Sequence, residues 1–346
     1  MKSKLSSLVS FNVVLVATLA LPLQLAAQHI ASGTNGQITF TQGVLDFNGG
    51  AGANIFTANP DGSNVQQVPL PEGIALELFS GSVWSPDGSK LLISHTLRPD
   101  DTGQCCFFQP ATLSPDGSDF NQLVPPNPPG SSSVGIDCSA WSLDQTRILC
   151  GFPGGIFSLR ASDGSDPVRL TTSPPGTIGD EPTDISPDGK RFVFLRYRQM
   201  NFPEPTQQVA IFVENMDGTR LRQLTPYGVV HAHEFTSAQW SPDGTRIISQ
   251  TTGGPSQTTG GRLFTVHPDG RGLTPIPLQT GTGQYFAFGP HWSPDGTRII
   301  FCMFINGGEG IYTANPDGSD VRQVTFTTDF TNFYIGPDWG THPLTP

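Results

Sequence analysis

The chain of 346 residues contains 40 glycines and 32 prolines, about a fifth of its residues, and because these two residues are the poorest helix formers, long helices are excluded. Aromatic residues make up 10% of the chain, which is enough ring surface to form a core and excludes a disordered protein. The net charge of −11 at pH 7 would repel nucleic-acid phosphates and anionic lipids, so neither is an expected partner. The composition therefore predicts an all-β, turn-rich protein.

Residues 1–28 have the features of a secretory signal peptide. Lys2 and Lys4 form a short basic start, an apolar run covers residues 13–21, and two alanines lie near a plausible but imprecise cleavage site. The alternative is an uncleaved membrane anchor, but Pro22 ends the apolar run well short of the ~20 residues needed to span a bilayer. We expect a periplasmic or secreted protein with no transmembrane segment once the signal is removed.

Two kinds of turn recur along the rest of the chain. The first is Ser-Pro-Asp-Gly, which follows a tryptophan in three copies and an isoleucine in a fourth, with two degenerate copies besides. The second ends in Asp-Gly and alternates with the first. Pro presets φ, Asp bonds a following amide and Gly accepts the left-handed conformation, so both are hairpin turns. The anchors before the first turn are Trp84, Trp141, Ile185, Trp240, Trp292 and Trp339, and the second turns span residues 59–62, 114–117, 161–164, 215–218, 267–270 and 315–318.

Short segments with β-strand patterns flank these turns. One follows the tryptophan-type turn (298–301 is an example), one precedes each Asp-Gly turn (311–313), and one follows it (322–325). Together with the tryptophan segment, they make four short antiparallel strands in each repeat, which is one propeller blade. The sequence therefore predicts a six-bladed β-propeller of four-stranded antiparallel blades over residues 36–341.

The two ends of the repeat array predict how the ring closes. The first strand, at residues 37–40, has no tryptophan strand before it, and the last, at residues 337–340, has no strand after it. We expect the C-terminal inner strand to pair with the N-terminal strands and complete the sixth blade. Such closure removes exposed sheet edges.

The repeat resembles a known family motif. Residues 292–301 (Trp-Ser-Pro-Asp-Gly-Thr-Arg-Ile-Ile-Phe), 311–318 (Ile-Tyr-Thr-Ala-Asn-Pro-Asp-Gly) and 222–225 (Arg-Gln-Leu-Thr) are similar to the WD40-like PD40 repeat of TolB-like six-bladed propellers. The resemblance extends over residues 36–340 and implies the fold rather than a chemistry, because its residues form turns and core. TolB proteins carry an α/β domain ahead of the propeller, whereas here we expect the propeller alone.

The strand order assigns every loop to one end of the ring. Both kinds of tight turn lie at one end, and the longer connections emerge at the other, which we call the long-loop face. Binding residues usually lie on variable loops held by a rigid scaffold, so the long-loop face is where we expect a site. Arg196 and Arg198, near the loop tips, are interpreted as solvated charges.

A set of histidines and carboxylates on this face is a hypothetical metal site. Such groups precede inner strands of successive blades and would converge at the mouth of the central channel, where a divalent cation such as Zn²⁺ or Mn²⁺ would suit them. Their spacing matches no metal signature, and solvated polar residues with one histidine packed against Trp292 are the alternative. The candidates are His231, His233, Glu234, His291, Asp180 and Asp338.

Aromatic residues also concentrate on this face and predict a groove for a peptide or a sugar. Packing between blades is the alternative interpretation. The candidate ligand-binding residues are Tyr285, Phe286, Phe288, Tyr227 and Phe235.

Five cysteines in an exported chain leave at least one unpaired if the others form disulfides. Cys138 and Cys150 are symmetric about a hairpin turn, so we weigh a disulfide between them against two buried thiols. Cys105 and Cys106 are adjacent in a long loop, and Cys302 is interpreted as a small buried apolar residue.

Two functional hypotheses follow, and a purely structural role, as an interaction platform or scaffold within a larger assembly, is a third. The first is an exported, non-catalytic and monomeric propeller that binds a protein or glycan partner in the cell envelope or outside the cell. The alternative is a metal-assisted polysaccharide lyase or hydrolase, similar in layout to the oligogalacturonate lyases, with its site at the channel mouth. The chain contains no Gly-x-Ser-x-Gly elbow, no cofactor is firmly implied, and whether the protein is an enzyme stays open.

Overall fold

The protein is described by a computed structural model that covers residues 33–45, 51–76, 81–97, 109–125, 136–152, 154–200, 206–231, 237–251, 261–281, 284–329 and 331–344. The predicted signal peptide and the adjacent pair Cys105 and Cys106 lie outside these residues.

The described residues form strands and turns and contain no helix. In chain order the strands are β1 (Ile38–Leu45), β2 (Ala51–Ala58), β3 (Gln66–Gln67), β4 (Ile74–Leu76), β5 (Ser82–Trp84), β6 (Leu91–Leu97), β7 (Gln109–Leu113), β8 (Asn121–Gln122), β9 (Asp137–Trp141), β10 (Arg147–Phe152), β11 (Gly155–Arg160), β12 (Val168–Arg169), β13 (Thr177–Ile185), β14 (Arg191–Met200), β15 (Thr206–Asn215), β16 (Arg222–Gln223), β17 (Val230–His231), β18 (Ala238–Trp240), β19 (Ile247–Thr251), β20 (Arg262–Val266), β21 (Thr274–Pro275), β22 (Tyr285–Trp292), β23 (Ile299–Ile305), β24 (Gly308–Ala314), β25 (Arg322–Gln323) and β26 (Asn332–Trp339).

These strands form six antiparallel sheets, the blades of a β-propeller, which confirms the predicted fold class. Blade 1 has the order β26-β1-β2-β3, blade 2 β4-β6-β7-β8, blade 3 β9-β10-β11-β12, blade 4 β13-β14-β15-β16, blade 5 β18-β19-β20-β21 and blade 6 β22-β23-β24-β25. Blade 2 has a second inner segment, β5, which also pairs with β6, and blade 4 has an additional strand, β17, which pairs with β15. The outermost strand of each blade is only two residues long, so the ring presents short edges.

The ring closes inside blade 1, as the sequence predicts. β26 pairs antiparallel with β1, with Ile38 opposite Trp339. Beyond the strands, Gly36 N donates to Gly340 O and Gly340 N to Gln37 O, both at 3.0 Å. The C-terminal strand is therefore the inner strand of the blade that the N-terminal strands begin.

The tight turns adopt the conformation that their residues favour. At Ser85-Pro86-Asp87-Gly88, Gly88 N donates to Ser85 O at 2.8 Å and the φ of Gly88 is 71°. The Asp87 carboxylate accepts hydrogen bonds from Ser85 Oγ and Ser89 N. The aspartate thus stabilises the turn from inside, while the glycine takes the left-handed position that side chains disfavour.

The tryptophan anchors fill the spaces between neighbouring blades. Trp84 packs in one cluster with Ile55 of blade 1 and Leu91 of blade 2, and Trp240 packs with Val193 of blade 4 and residues of blade 5. Both indoles are buried, and replacing such a ring by alanine costs about 3–5 kcal/mol. The core is therefore a series of inter-blade clusters that hold the inner strands in place.

Candidate functional site

The residue before each anchor points to the adjacent inner strand in most blades. Asp338 Oδ2 accepts a hydrogen bond from Trp84 N at 2.9 Å, Asp184 Oδ2 from Trp240 N at 2.8 Å, and Gln239 Oε1 from Trp292 N at 2.8 Å. In each case a side chain of one blade binds the backbone of the next. We call Asp184, Gln239, His291 and Asp338 the inner-strand clamp.

His291 and Asp338 complete the clamp between blade 6 and blade 1. His291 Nδ1 lies 3.6 Å from Asp338 Oδ1, and both side chains are buried. Burial raises the pKa of Asp338, while His291 and the backbone amides of Trp84 and Trp339 oppose that rise. His291 Nε2 has no hydrogen-bond partner within the described part of the chain. This pair is the only predicted metal-ligand pair that the described residues bring into contact.

Asp180 lies in a different environment, at the long-loop end of β13. Its carboxylate forms a buried two-point ion pair with Arg196, whose Nε and Nη2 donate at 2.6 and 2.7 Å, and it also accepts from Thr171 Oγ1. The guanidinium group packs over Phe212. The interpretation of Arg196 as a solvated charge is therefore wrong. Arg196 lies within the long strand β14, opposite Asp180 of β13, and the negative charge of Asp180 compensates for the burial of the guanidinium group.

The remaining metal candidates are described only in part. His231 ends β17, where it is paired with Gln208 of β15, and nothing is described of its side chain. His233, Glu234 and Phe235 lie outside the described residues. Within the residues that are described, no group of three or more histidines, cysteines, aspartates and glutamates is placed to hold a metal ion.

The aromatic candidates divide between surface and core. Phe288 is 2% exposed and packs in the cluster between blades 6 and 1. Tyr285 is half-buried, and its hydroxyl accepts a hydrogen bond from Leu278 N at 3.2 Å. Phe286 is half-buried beside that cluster, and Tyr227 of blade 4 stacks under the guanidinium of Arg198.

An aromatic surface lies at the long-loop end of blade 6. Phe286 and Phe304 are cross-strand partners with ring centroids 6.1 Å apart. Phe304 is 39% exposed and Phe326 is 37% exposed, and the Phe326 ring lies against Gly308, where no Cβ would fit. We call Phe286, Phe304 and Phe326 the blade 6 aromatic surface. The sequence places Phe326 among the aromatic residues of the long-loop face, but Phe304 was missed, although its position near the end of a strand could have indicated it.

A titratable carboxyl group lies directly beside this surface. Glu309 is paired in register with Phe304, and its Oε1 accepts a hydrogen bond from Tyr334 N of blade 1 at 3.1 Å. Burial raises the pKa of Glu309 from 4.5 to about 7. A buried carboxyl group that is partly protonated at neutral pH therefore lies next to Phe304.

The described cysteines comprise one disulfide and one free thiol. Cys138 and Cys150, opposite each other on β9 and β10, are joined by a disulfide. Cys302 is a buried free thiol beside Tyr334 O, and burial raises its pKa well above the ordinary value. The interpretation of Cys302 as a small buried residue is thus confirmed.

Comparisons with known proteins agree on the fold. No family model matches the sequence. Over 123 residues, 35% of this chain, the sequence is 28% identical to dipeptidyl-peptidase 5 of Porphyromonas endodontalis, and the match spans only 16% of that protein.

Among the described residues there is no helix with the length and apolarity that a membrane span requires.

Solved structures give broader matches. TolB from Acinetobacter baumannii is similar with a TM-score of 0.59 and 16% identity, covering 88% of this chain and 66% of that chain. A putative TolB from Agrobacterium tumefaciens has a TM-score of 0.53 and 17% identity, covering 88% of this chain and 99% of that one. An oligogalacturonate lyase in complex with manganese has a TM-score of 0.51 and 15% identity, covering 86% and 75%. The chain therefore has the fold of a TolB-like six-bladed β-propeller, and it spans about two thirds of the first of these structures.

Proposed function

We propose that the protein is an exported, non-catalytic binding module whose blade 6 aromatic surface captures a protein or glycan partner in the envelope or outside the cell. The exposure of Phe304 and Phe326 at the long-loop end is the observation that carries this proposal. Exposed aromatic rings beside a few polar groups are typical of recognition surfaces, for both peptide side chains and sugar faces.

The arrangement of polar groups in the inner strands supports a binding role. Asp184, Gln239 and Asp338 each use a side-chain oxygen to hold the backbone of the next blade. These contacts stabilise the scaffold, so the burial of the three side chains is explained without a catalytic role. The disulfide between Cys138 and Cys150 supports export, because disulfides persist in oxidising compartments.

A binding experiment with matched variants tests the surface. Wild-type protein is incubated with a peptide library and with a glycan array, beside the double variant Phe304→Ser/Phe326→Ser and the control Val124→Ser. Val124 is an exposed hydrophobic residue on another blade. We expect the double variant to lose at least tenfold in affinity and the control to retain binding. Equal binding by all three proteins, or saturable binding by none, would contradict the proposal.

A metal-assisted polysaccharide lyase or hydrolase is the second candidate. It is supported by the similarity in fold to the lyase that binds manganese and by His291 Nε2, which has no partner among the described residues. The described residues alone do not form a fitting site, because both Asp338 oxygens already accept backbone amides. His231, His233 or Glu234 would have to supply further ligands. Elemental analysis after incubation with Mn²⁺ and dialysis separates the candidates, since retained metal that is lost in His291→Gln would favour the enzyme.

A further inference from the structure

One position of the repeat has the same backbone conformation in all six blades. It lies three residues after the aspartate of each Asp-Gly turn and has a positive φ between 52° and 61°. Asparagine, aspartate and glycine accept this left-handed conformation most readily, whereas a long side chain there is unusual. The six residues are Asn64, Asp119, Asp166, Arg220, Gly272 and Asp320.

In three blades the residue at this position is an aspartate that forms an ion pair. Its partner is the lysine or arginine that follows the tryptophan-type turn of the same blade. The nitrogen–oxygen distances are 3.1 Å for Lys90–Asp119 in blade 2, 3.0 Å for Arg147–Asp166 in blade 3 and 2.8 Å for Arg298–Asp320 in blade 6. The pair is thus a regular feature of the repeat.

In blade 4 an arginine replaces the aspartate of this pair. Its turn cation is Arg191, and the left-handed position is occupied by Arg220 rather than by an aspartate. Neither arginine forms an ion pair in the part of the chain that the structure describes, and the Arg191 guanidinium lies over the Trp240 ring, 4.5 Å from its centroid. Blade 4 thus has two positive charges, on Arg191 and Arg220, where other blades have an ion pair. Arg220 also has a backbone conformation that long side chains disfavour.

These arginines line a groove between the turns of blades 4 and 5, with a volume of about 710 Å³. Arg222 and His267 also line it, so four cationic or protonatable side chains face one space in a chain with net charge −11. We call this space the blade 4–5 groove. Val213, Leu221 and Pro268 supply apolar lining.

The nearby carboxylates bind groups of their own turns. Asp269, which lines the groove, accepts a hydrogen bond from Arg271 N at 3.0 Å and lies 3.9 Å from Arg271 Nε. Asp188 accepts hydrogen bonds from Ser186 Oγ and Lys190 N inside its own turn. Asp217 likewise binds Thr219 in its own turn. Asp188 and Asp217 interact electrostatically with Arg191 and Arg220, but neither arginine forms an ion pair among the described residues.

We propose that the blade 4–5 groove binds a phosphate or sulfate ester carried on a sugar-sized group. Guanidinium groups present a planar fork of donors that matches a tetrahedral oxyanion. A groove of this volume is within the usual range for small-molecule sites and leaves room for the organic part of the ester beside the apolar residues. The groove lies at the turn end of the ring, away from the blade 6 aromatic surface, so this site is independent of the proposed function.

Calorimetric titration of the full chain at low ionic strength tests this site with three probes: glucose 6-phosphate, inorganic phosphate and glucose. We expect saturable binding of glucose 6-phosphate in the millimolar range or below, weaker binding of inorganic phosphate, and none of glucose. Arg222→Ala should weaken binding at least tenfold. Arg322→Ala removes the same charge from the equivalent position of blade 6 and should leave the affinity within twofold of wild type.

Arg220→Asp provides a variant in which loss of binding is separable from loss of folding. It restores the aspartate of blades 2, 3 and 6, so its melting temperature should equal or exceed that of wild type while the binding of glucose 6-phosphate is lost. Absence of saturable binding to wild type, binding retained by Arg220→Asp, or equal weakening by Arg222→Ala and Arg322→Ala would each overturn the site. Equal affinity for inorganic phosphate and glucose 6-phosphate would overturn the role of the sugar-sized group.

Discussion

Asp137 is a buried carboxyl group on the inner strand of blade 3, and burial raises its pKa from 3.8 to about 7. Ser94 Oγ donates to its Oδ1 at 2.5 Å, while Oδ2 has no hydrogen-bond partner among the described residues. A carboxyl group whose pKa is higher in the folded than in the unfolded chain stabilises the fold while it is protonated. That contribution is complete below pH 4 and is lost as the pH rises through about 7.

Asp137→Asn should therefore flatten the pH dependence of stability. The amide keeps the acceptor for Ser94 but cannot ionise, so its free energy of unfolding at pH 8 should exceed that of wild type by up to about 4 kcal/mol. Chemical denaturation at pH 5 and pH 8 measures the difference. Glu309, with a pKa of about 7, adds a slope of the same sign in both proteins. Parallel pH profiles for variant and wild type would contradict the prediction.

Single residues were the hardest part of the site to predict from sequence. The importance of Asp137 and the burial of Arg196 depend on partners 43 and 16 residues away, and turn periodicity does not specify such pairs. The contact of His291 with Asp338 was easier to predict, because each residue directly precedes an anchor tryptophan on an inner strand whose position the repeat defines. Phe304 was missed because the repeat motif ends at Phe301 and does not indicate that β23 continues to Ile305.

At the scale of elements, the hairpins were predictable because their signals are local. The Ser-Pro-Asp-Gly and Asp-Gly turns contain both the residue that starts the turn and the glycine that ends it. β17 was not predictable, since its two residues pair with β15 only after the chain has passed through β16. The strands that carry the repeat motif therefore follow from the sequence, whereas a short strand inside a long connection, such as β17, does not.

The disulfide between β9 and β10 is expected to stabilise blade 3. It closes a loop with a sequence separation of 12, for which the chain-entropy estimate is about 3 kcal/mol. Cys138→Ser/Cys150→Ser should lower the free energy of unfolding by about that amount or more, because two buried hydroxyl groups replace the sulfur atoms.

Denaturation with and without reductant measures this contribution, and Cys302→Ser is the control. Cys302 is buried but forms no disulfide, so its variant keeps the Cys138–Cys150 disulfide and should lose as much stability in reductant as wild type does. Wild-type stability that is equal in the presence and absence of reductant would contradict the stabilising role of the disulfide.

At the scale of the molecule, the ring depends on one non-local strand pairing. β26 is the last strand in the chain and the innermost strand of the first blade, where Trp339 packs with Ile38 and Phe40. Its removal would expose those core residues and leave β1 as an open edge. Six similar blades therefore form one cooperative unit only while this pairing holds.

A chain truncated after residue 330 should thus lose its cooperative thermal transition. A chain truncated after residue 342 should retain it, because it keeps His342, which stacks on Trp84 and bonds Gly88 O at 2.8 Å. A synthetic peptide of residues 331–346 should restore the transition to the shorter chain when added in excess. An unchanged melting temperature for the shorter chain would show that blade 1 does not close the ring.

The pairing in blade 1 also determines where the chain leaves the ring. Gln37 N donates to His342 O at 2.7 Å, so the polypeptide enters and exits side by side, beside the tight turns. A tether or fused domain at either end would therefore be attached to the same side of the disc. If the propeller were attached through either end, Phe304 and Phe326, which lie at the long-loop end, would be on the side opposite the attachment.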